Sequence, residues 1–175
     1  MGSRRKGRIL AFQALYSWDA HYSETKEVSI PDGLLDFSWA SQENDTPLDA
    51  ETTAFPRLLV TGTIENIGDV DSMIQKHLQN WGLERLKKVD LAVLRMSAYS
   101  LMFQTDMHPA IVIDEAISIS REFGTDDSYR FVNGVLDGIR KTLETDPPQH
   151  LSQQASQQTS QQVSQKPLLQ SPHSP

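Results

Sequence analysis

Residues 83–103, "LERLKKVDLAVLRMSAYSLMF", constrain the fold more than any other segment. Apolar side chains recur there at intervals of three and four, at Leu86, Val89, Val93 and Met96. This spacing is that of one face of an α-helix. Further helical segments are predicted at 9–20, 28–40, 50–68, 69–80, 110–124 and 128–143. No segment shows sustained strand alternation, so the sequence predicts an all-α fold, a compact bundle of about seven helices.

The C-terminal residues 146–175 have a different composition from the rest of the chain. They repeat a four-residue S-Q-Q-x unit and then become rich in proline, with few apolar or charged side chains. Such a segment cannot bury enough apolar surface to offset the entropy lost on ordering. We therefore predict one helical domain over residues 1–145, followed by a disordered Gln/Ser/Pro-rich tail at 146–175.

The charge of the chain is unevenly distributed. The whole protein has a net charge of −7, while Arg4, Arg5, Lys6 and Arg8 contribute +4, which leaves −11 for the rest. An acidic body repels polyanions, so any nucleic-acid binding must be local to this basic tip. Cations beside the exposed N–H groups of a helix N-terminus suit phosphates, although a solvated terminus explains the same residues equally well.

The sequence contains no pattern that predicts catalysis, a metal or a cofactor. Its five histidines are scattered, it has no cysteine, and it has no phosphate-binding glycine loop or nucleophile elbow. No apolar segment approaches the roughly 20 residues of a membrane span. We therefore predict a non-enzymatic cytoplasmic protein without a cofactor, and expect no membrane partner.

Phe131 is a second candidate for nucleic-acid binding. On a helical projection of residues 126–143, Val132, Val135 and Leu136 share the apolar stripe. Phe131 falls roughly 100° from its centre, on the flank that carries Asp127. An aromatic side chain there could stack on an unpaired base, or it could pack against a neighbouring helix.

Three segments, taken in order, resemble the NusB family of bacterial transcription antitermination factors. They are "RRKGRILAFQALYSWD", "WGLERLKKVDLAVLRMSAYSL" and "VIDEAISISREFGTDDSYRFVNGVLD", and the similarity covers about residues 4–140. The resemblance implies two packed helical subdomains without cofactor or catalysis. It also implies binding of boxA single-stranded RNA from ribosomal RNA operons together with the ribosomal protein NusE. The assembly would then join other Nus factors on RNA polymerase and suppress termination.

The resemblance also implies roles for individual residues. RNA-binding roles would fall on Arg4, Arg5, Lys6, Arg8, Tyr16, Asp127, Arg130 and Phe131. Asp90 matches an acidic position linked to the NusE contact. Monomer and homodimer are both compatible with the family.

Two other functions compete with this interpretation. The same helical domain resembles the RNA-binding front end of some ribosomal RNA cytosine methyltransferases, in which case catalysis would need a separate chain. The second alternative is a helical protein-interaction module without any RNA role. An RNA-reading Phe131 can be removed without unfolding the protein, whereas loss of a core phenylalanine costs about 3–5 kcal/mol of stability.

Overall fold

The structure is a computed structural model that describes residues 3–40, 50–79 and 81–146. These residues form six α-helices, two short 3-10 helices and no strand. The α-helices are α1 (Ser3–Thr25), α2 (Ala50–Glu65), α3 (Ile67–Lys76), α4 (Lys88–Phe103), α5 (Pro109–Phe123) and α6 (Ser128–Thr145). The all-α prediction is confirmed. The predicted tail lies outside the described residues, apart from Asp146.

Helix α4 is the centre of the bundle. It contacts all five other helices, and 11 of its 16 residues are buried. A helix that is buried around most of its circumference serves as a core element rather than a surface helix. Helix α1 packs against α2 and α4, and α5 packs against α4 and α6, so α4 joins the N-terminal and C-terminal helices.

The predicted count of about seven helices is wrong, because residues 28–40 do not form an α-helix. They contain only a turn and a 3-10 helix at Ser38–Ala40. Gly33 and Phe37 have positive φ values of 79° and 56°, which no right-handed helix can contain. The backbone N–H of Ser38 donates to the carboxylate of Asp36 at 2.8 Å. Leu34 and Phe37 are nevertheless buried in the core, which explains the apolar pattern.

The segment predicted as one helix over 83–103 is also divided. A 3-10 helix at Leu83–Arg85 is followed by extended backbone at Leu86 and Lys87, and α4 begins only at Lys88. This break places Asp90 in the first turn of α4. There the helix dipole favours a negative charge.

Helix α1 extends further than the predicted 9–20 segment, so the basic tip is helical. Its inner face buries Leu10, Leu15 and Trp18, while Tyr16 on the other face is exposed. A Cβ at Gly7 would lie 2.8 Å from the Phe55 ring. Glycine at this position therefore leaves room for the Phe55 ring of α2, despite its low helix propensity.

Candidate nucleic-acid interface

The four cations of the basic tip have different surroundings. Arg4 and Lys6 are exposed. The guanidinium of Arg4 lies 4.8 Å from the centroid of the Phe55 ring, a cation–π contact that leaves its donors available. Lys6 has no ion pair within the described ranges. These two side chains are therefore ready to meet phosphates.

Arg5 and Arg8 are already engaged within the protein. Arg5 forms ion pairs with Glu122 at 3.0 Å and Glu115 at 3.5 Å, both on α5. Arg8 is only 4% exposed, lies over the Phe55 ring and donates to the sulfur of Met107. Burial lowers the pKa of Arg8, against the opposing attraction of Glu115. The structure thus places Arg8 beneath the surface, and its role in RNA binding stays a prediction.

The second set of predicted residues lies at the start of α6. Asp127 is the N-cap residue, and its carboxylate accepts from Nη1 of Arg130 at 3.4 Å. Nε of Arg130 also donates to the hydroxyl of Tyr129 at 3.0 Å. Phe131 is 37% exposed, so it is neither a core residue nor a fully solvated one. Asp127, Arg130 and Phe131 are therefore together and accessible.

Phe131 opens into a groove of about 560 Å³ that we call the Phe131 groove. Its wall includes Trp81, Lys87, Asp90, Asp127 and Phe131. Asp90 is 4% exposed, and its Oδ1 atom has no hydrogen-bond partner among the described residues. A buried carboxylate oxygen without a donor is costly. Arg85, Lys87 and Arg130 also line the groove, so its wall carries both cations and an acceptor without a donor.

A smaller depression, the Tyr16 pocket, continues the surface toward α1. It has a volume of about 170 Å³ and is lined by Tyr16, Lys87, Lys88, Val89, Phe123, Gly124, Thr125 and Ser128. Lys87 and Ser128 also line the Phe131 groove, so the two cavities are neighbours. Nζ of Lys87 donates to Oγ1 of Thr125 at 2.7 Å, which holds this cation at the boundary.

The basic tip and the Tyr16 pocket lie along the same two helices. Arg5 reaches Glu122 on α5, and Phe12 packs against Phe123 with ring centroids 5.2 Å apart. Tyr16 and Arg5 are separated by 11 positions, or roughly 16 Å along a helix. The structure therefore brings the basic tip, Tyr16 and the start of α6 onto one connected surface, although not into one cavity.

A buried ion cluster beneath this surface fixes α1 against α3 and α4. Arg95 donates to Asp19 at 2.7 Å and to Asp71 at 2.8 Å, and Lys88 donates to Asp19 at 2.7 Å. Burial alone would raise the pKa of Asp19, but the hydrogen bonds from Lys88 and Arg95 lower it. The charged form of Asp19 is therefore part of the folded structure.

Sequence reasoning missed Trp81 and Lys87 as residues of the Phe131 groove. Trp81 follows α3 as an exposed aromatic side chain. A tryptophan between Gln79-Asn80 and Gly82 is an available signal, because a large aromatic side chain in a polar segment is often a binding residue. Lys87 carries no comparable signal, since exposed lysines are common.

The described part of the chain contains no helix with the length and apolar character needed to cross a bilayer.

The chain is similar to known proteins over most of its length. The family model described as "NusB family" matches residues 5–141. The transcription antitermination protein NusB of Treponema denticola is 53% identical over 137 residues, which cover 78% of this chain and 95% of that protein.

Two solved structures have the same fold. A Thermotoga structure, "T. maritima NusB", has a TM-score of 0.66 at 33% identity, covering 84% of this chain and 94% of that chain. A chain in a crystal structure of antitermination factors NusB and NusE in complex with dsRNA has a TM-score of 0.67 at 26% identity. That similarity covers 81% of this chain and 98% of the other. The family model and the Treponema relative together show that this chain belongs to the NusB family.

Proposed function

We propose that the protein is a transcription antitermination factor that binds boxA-type single-stranded RNA of ribosomal RNA operons together with the ribosomal protein NusE. It would act on elongating RNA polymerase, in the cytoplasm, through binding alone. The observation that carries the proposal is one groove that holds both the exposed Phe131 and the buried Asp90, whose Oδ1 lacks a hydrogen-bond partner among the described residues. Family membership and the NusB–NusE–RNA neighbour support it.

In this proposal the RNA strand uses the exposed groups of the surface. Arg4 and Lys6 bind phosphates, and Phe131 stacks on a base, with Tyr16 between them as a second aromatic contact. The Asp127 carboxylate accepts from an amino group on a base edge, once Arg130 turns from it toward a phosphate. Their ion pair is exposed, so breaking it costs less than about 1 kcal/mol.

In this proposal Asp90 contacts the protein partner rather than the RNA. A carboxylate repels phosphate, whereas a lysine or arginine of a basic ribosomal protein would supply the donor that Oδ1 lacks. The net charge of −7 favours association with such a partner. RNA and NusE would then meet at the Phe131 groove, which accounts for joint binding.

The experiment is fluorescence anisotropy with a labelled boxA-like strand and a scrambled strand, each with and without NusE. We expect preference for boxA, strengthened by NusE. Phe131→Ala should weaken RNA binding by about 5- to 150-fold, because one base–aromatic stack contributes about 1–3 kcal/mol. Val28→Ala, which truncates a more exposed apolar side chain on no proposed surface, is the control.

Salt titration tests the assignment of the basic tip. Each phosphate contact on a single strand contributes about −0.7 to the slope of log K against log salt. Replacing Arg4 and Lys6 together by alanine should therefore make the slope shallower by about 1.4, and Lys141→Ala should not change it. Binding that is equally tight to scrambled RNA, or an unchanged slope, would contradict the proposal.

A further inference from the structure

A third cavity lies on α1 beside the basic tip, and neither Phe131 nor Tyr16 takes part in it. This Trp39 groove has a volume of about 430 Å³ and is lined by Lys6, Ile9, Leu10, Gln13, Trp39 and Ala40. The volume falls in the range of small-ligand sites.

Trp39 is held in a fixed orientation although it is 45% exposed. Its Nε1 donates to the carbonyl oxygen of Leu34 at 3.2 Å, and its ring lies 5.8 Å from the fully buried Phe37 ring. The tryptophan therefore presents a ring surface whose orientation is already set, so little entropy is lost when a planar group stacks on it.

The other lining groups select a nucleotide among planar ligands. Lys6 brings a positive charge, and no acidic side chain lines the groove. Gln13 supplies an amide that can both donate to and accept from a base edge. A stacking ring, a polar amide and a cation together match a base, its edge and its phosphate.

The groove adjoins the surface already described along helix α1. Gln13 and Tyr16 are three residues apart on α1 and therefore neighbours on one face of the helix. Lys6 belongs to the basic tip and also lines the groove. A strand that runs from the Phe131 groove past Tyr16 along α1 would therefore reach Trp39.

We propose that Trp39, with Lys6 and Gln13, forms an additional nucleotide-binding subsite that extends the RNA footprint beyond the segment contacted by Phe131 and Tyr16. The inference rests on the proposed RNA-binding function and deepens it. Its consequence is that nucleotides flanking the boxA-like core contribute to affinity through stacking, with little dependence on their identity.

The test is a length series of labelled RNA, with one to six uridines added to either end of a boxA-like core. For the wild type, extension at one end should tighten binding by about 5- to 150-fold. Trp39→Ala should abolish this gain while leaving the affinity for the unextended core unchanged. Trp39→Phe, which keeps an aromatic ring, should retain most of it.

Tryptophan fluorescence gives an independent readout. The protein has three tryptophans, and Trp18 is fully buried. In a Trp81→Phe background, quenching by saturating extended RNA therefore reports on Trp39, and the core strand alone should quench much less. A thermal melt of each variant verifies that it is folded.

The outcomes separate this inference from the proposed function. If wild-type protein binds the core but gains nothing from extension, or if Trp39→Ala keeps the gain, the subsite is wrong and the function stands. If Trp39→Ala instead weakens NusE binding, the groove is a protein contact and the inference is overturned. If no strand of any length binds with or without NusE, both proposals fail.

Discussion

Replacing Asp90 by asparagine should have opposite effects on stability and on partner binding. In the free protein the carboxylate is 4% exposed and its Oδ1 lacks a donor within the described residues. An unsatisfied buried polar group costs about 1–3 kcal/mol. The N-terminus of α4 compensates a negative charge by only about 0.3–1 kcal/mol. The difference between these two magnitudes predicts that Asp90→Asn leaves the free energy of unfolding unchanged or raises it by up to about 2 kcal/mol.

Asp90→Asn should weaken the binding of NusE. A hydrogen bond to a charged group contributes about 1.5–3 kcal/mol, which corresponds to about 10- to 150-fold in Kd. Urea unfolding of the free protein measures the change in stability, and calorimetric titration with NusE measures the change in Kd. RNA binding without NusE should not weaken.

The reasoning on Asp90 is refuted by either of two results. A loss of more than about 1 kcal/mol in the free energy of unfolding would mean that the carboxylate has a stabilising partner inside the protein. Unchanged affinity for NusE would mean that the cation filling the groove comes from elsewhere. Asp69→Asn, an exposed first-turn carboxylate of α3, is the matched control for the helix dipole.

Three further perturbations test the packing beneath the surface. Arg95→Met should lower the free energy of unfolding by about 3–5 kcal/mol in urea, because it leaves buried Asp19 and half-buried Asp71 without this partner. The folded-state pKa of Asp19 lies below its unfolded value. The ionised carboxylate therefore stabilises the folded protein at neutral pH, and this stabilisation is lost as pH falls below about 4. Asp19→Asn should therefore flatten the acid side of a stability–pH profile. Arg8→Ala should lower the free energy of unfolding by about 2 kcal/mol, because packing and a cation–π contact are lost. Arg4 is exposed, so Arg4→Ala should change the same quantity by less than about 0.5 kcal/mol, and urea unfolding measures both.

The helical part of the fold could be predicted wherever the apolar period is long and uninterrupted. The period of 83–103 gave the existence of α4, and "AIVIDEAISISREF" gave α5. The 28–40 segment failed because an apolar pattern reports burial and not backbone conformation. Leu34 and Phe37 are buried, but a left-handed φ at Phe37 prevents a helix. A phenylalanine rarely adopts a positive φ, so the residue type at position 37 does not predict this conformation.

The candidate site was predictable in its residue types but not in its surroundings. Charge density identified the basic tip, yet no local pattern distinguishes Arg8, which is buried over the Phe55 ring, from Lys6, which is exposed. That difference depends on Met107, 99 positions away in the sequence. The missing donor of Asp90 is likewise a property of the packed groove and has no local signature.

The contacts of the basic tip have a consequence for how the protein is made. Arg5 and its partner Glu115 are separated by 110 positions, and Glu122 lies 117 positions away. At about 5–20 residues per second, the ribosome needs roughly 5–20 s to synthesise the intervening chain. During that time Arg5 lacks the two α5 carboxylates that hold it in the folded protein. The charge of Arg5 is therefore neutralised within the protein only after α5 has been made.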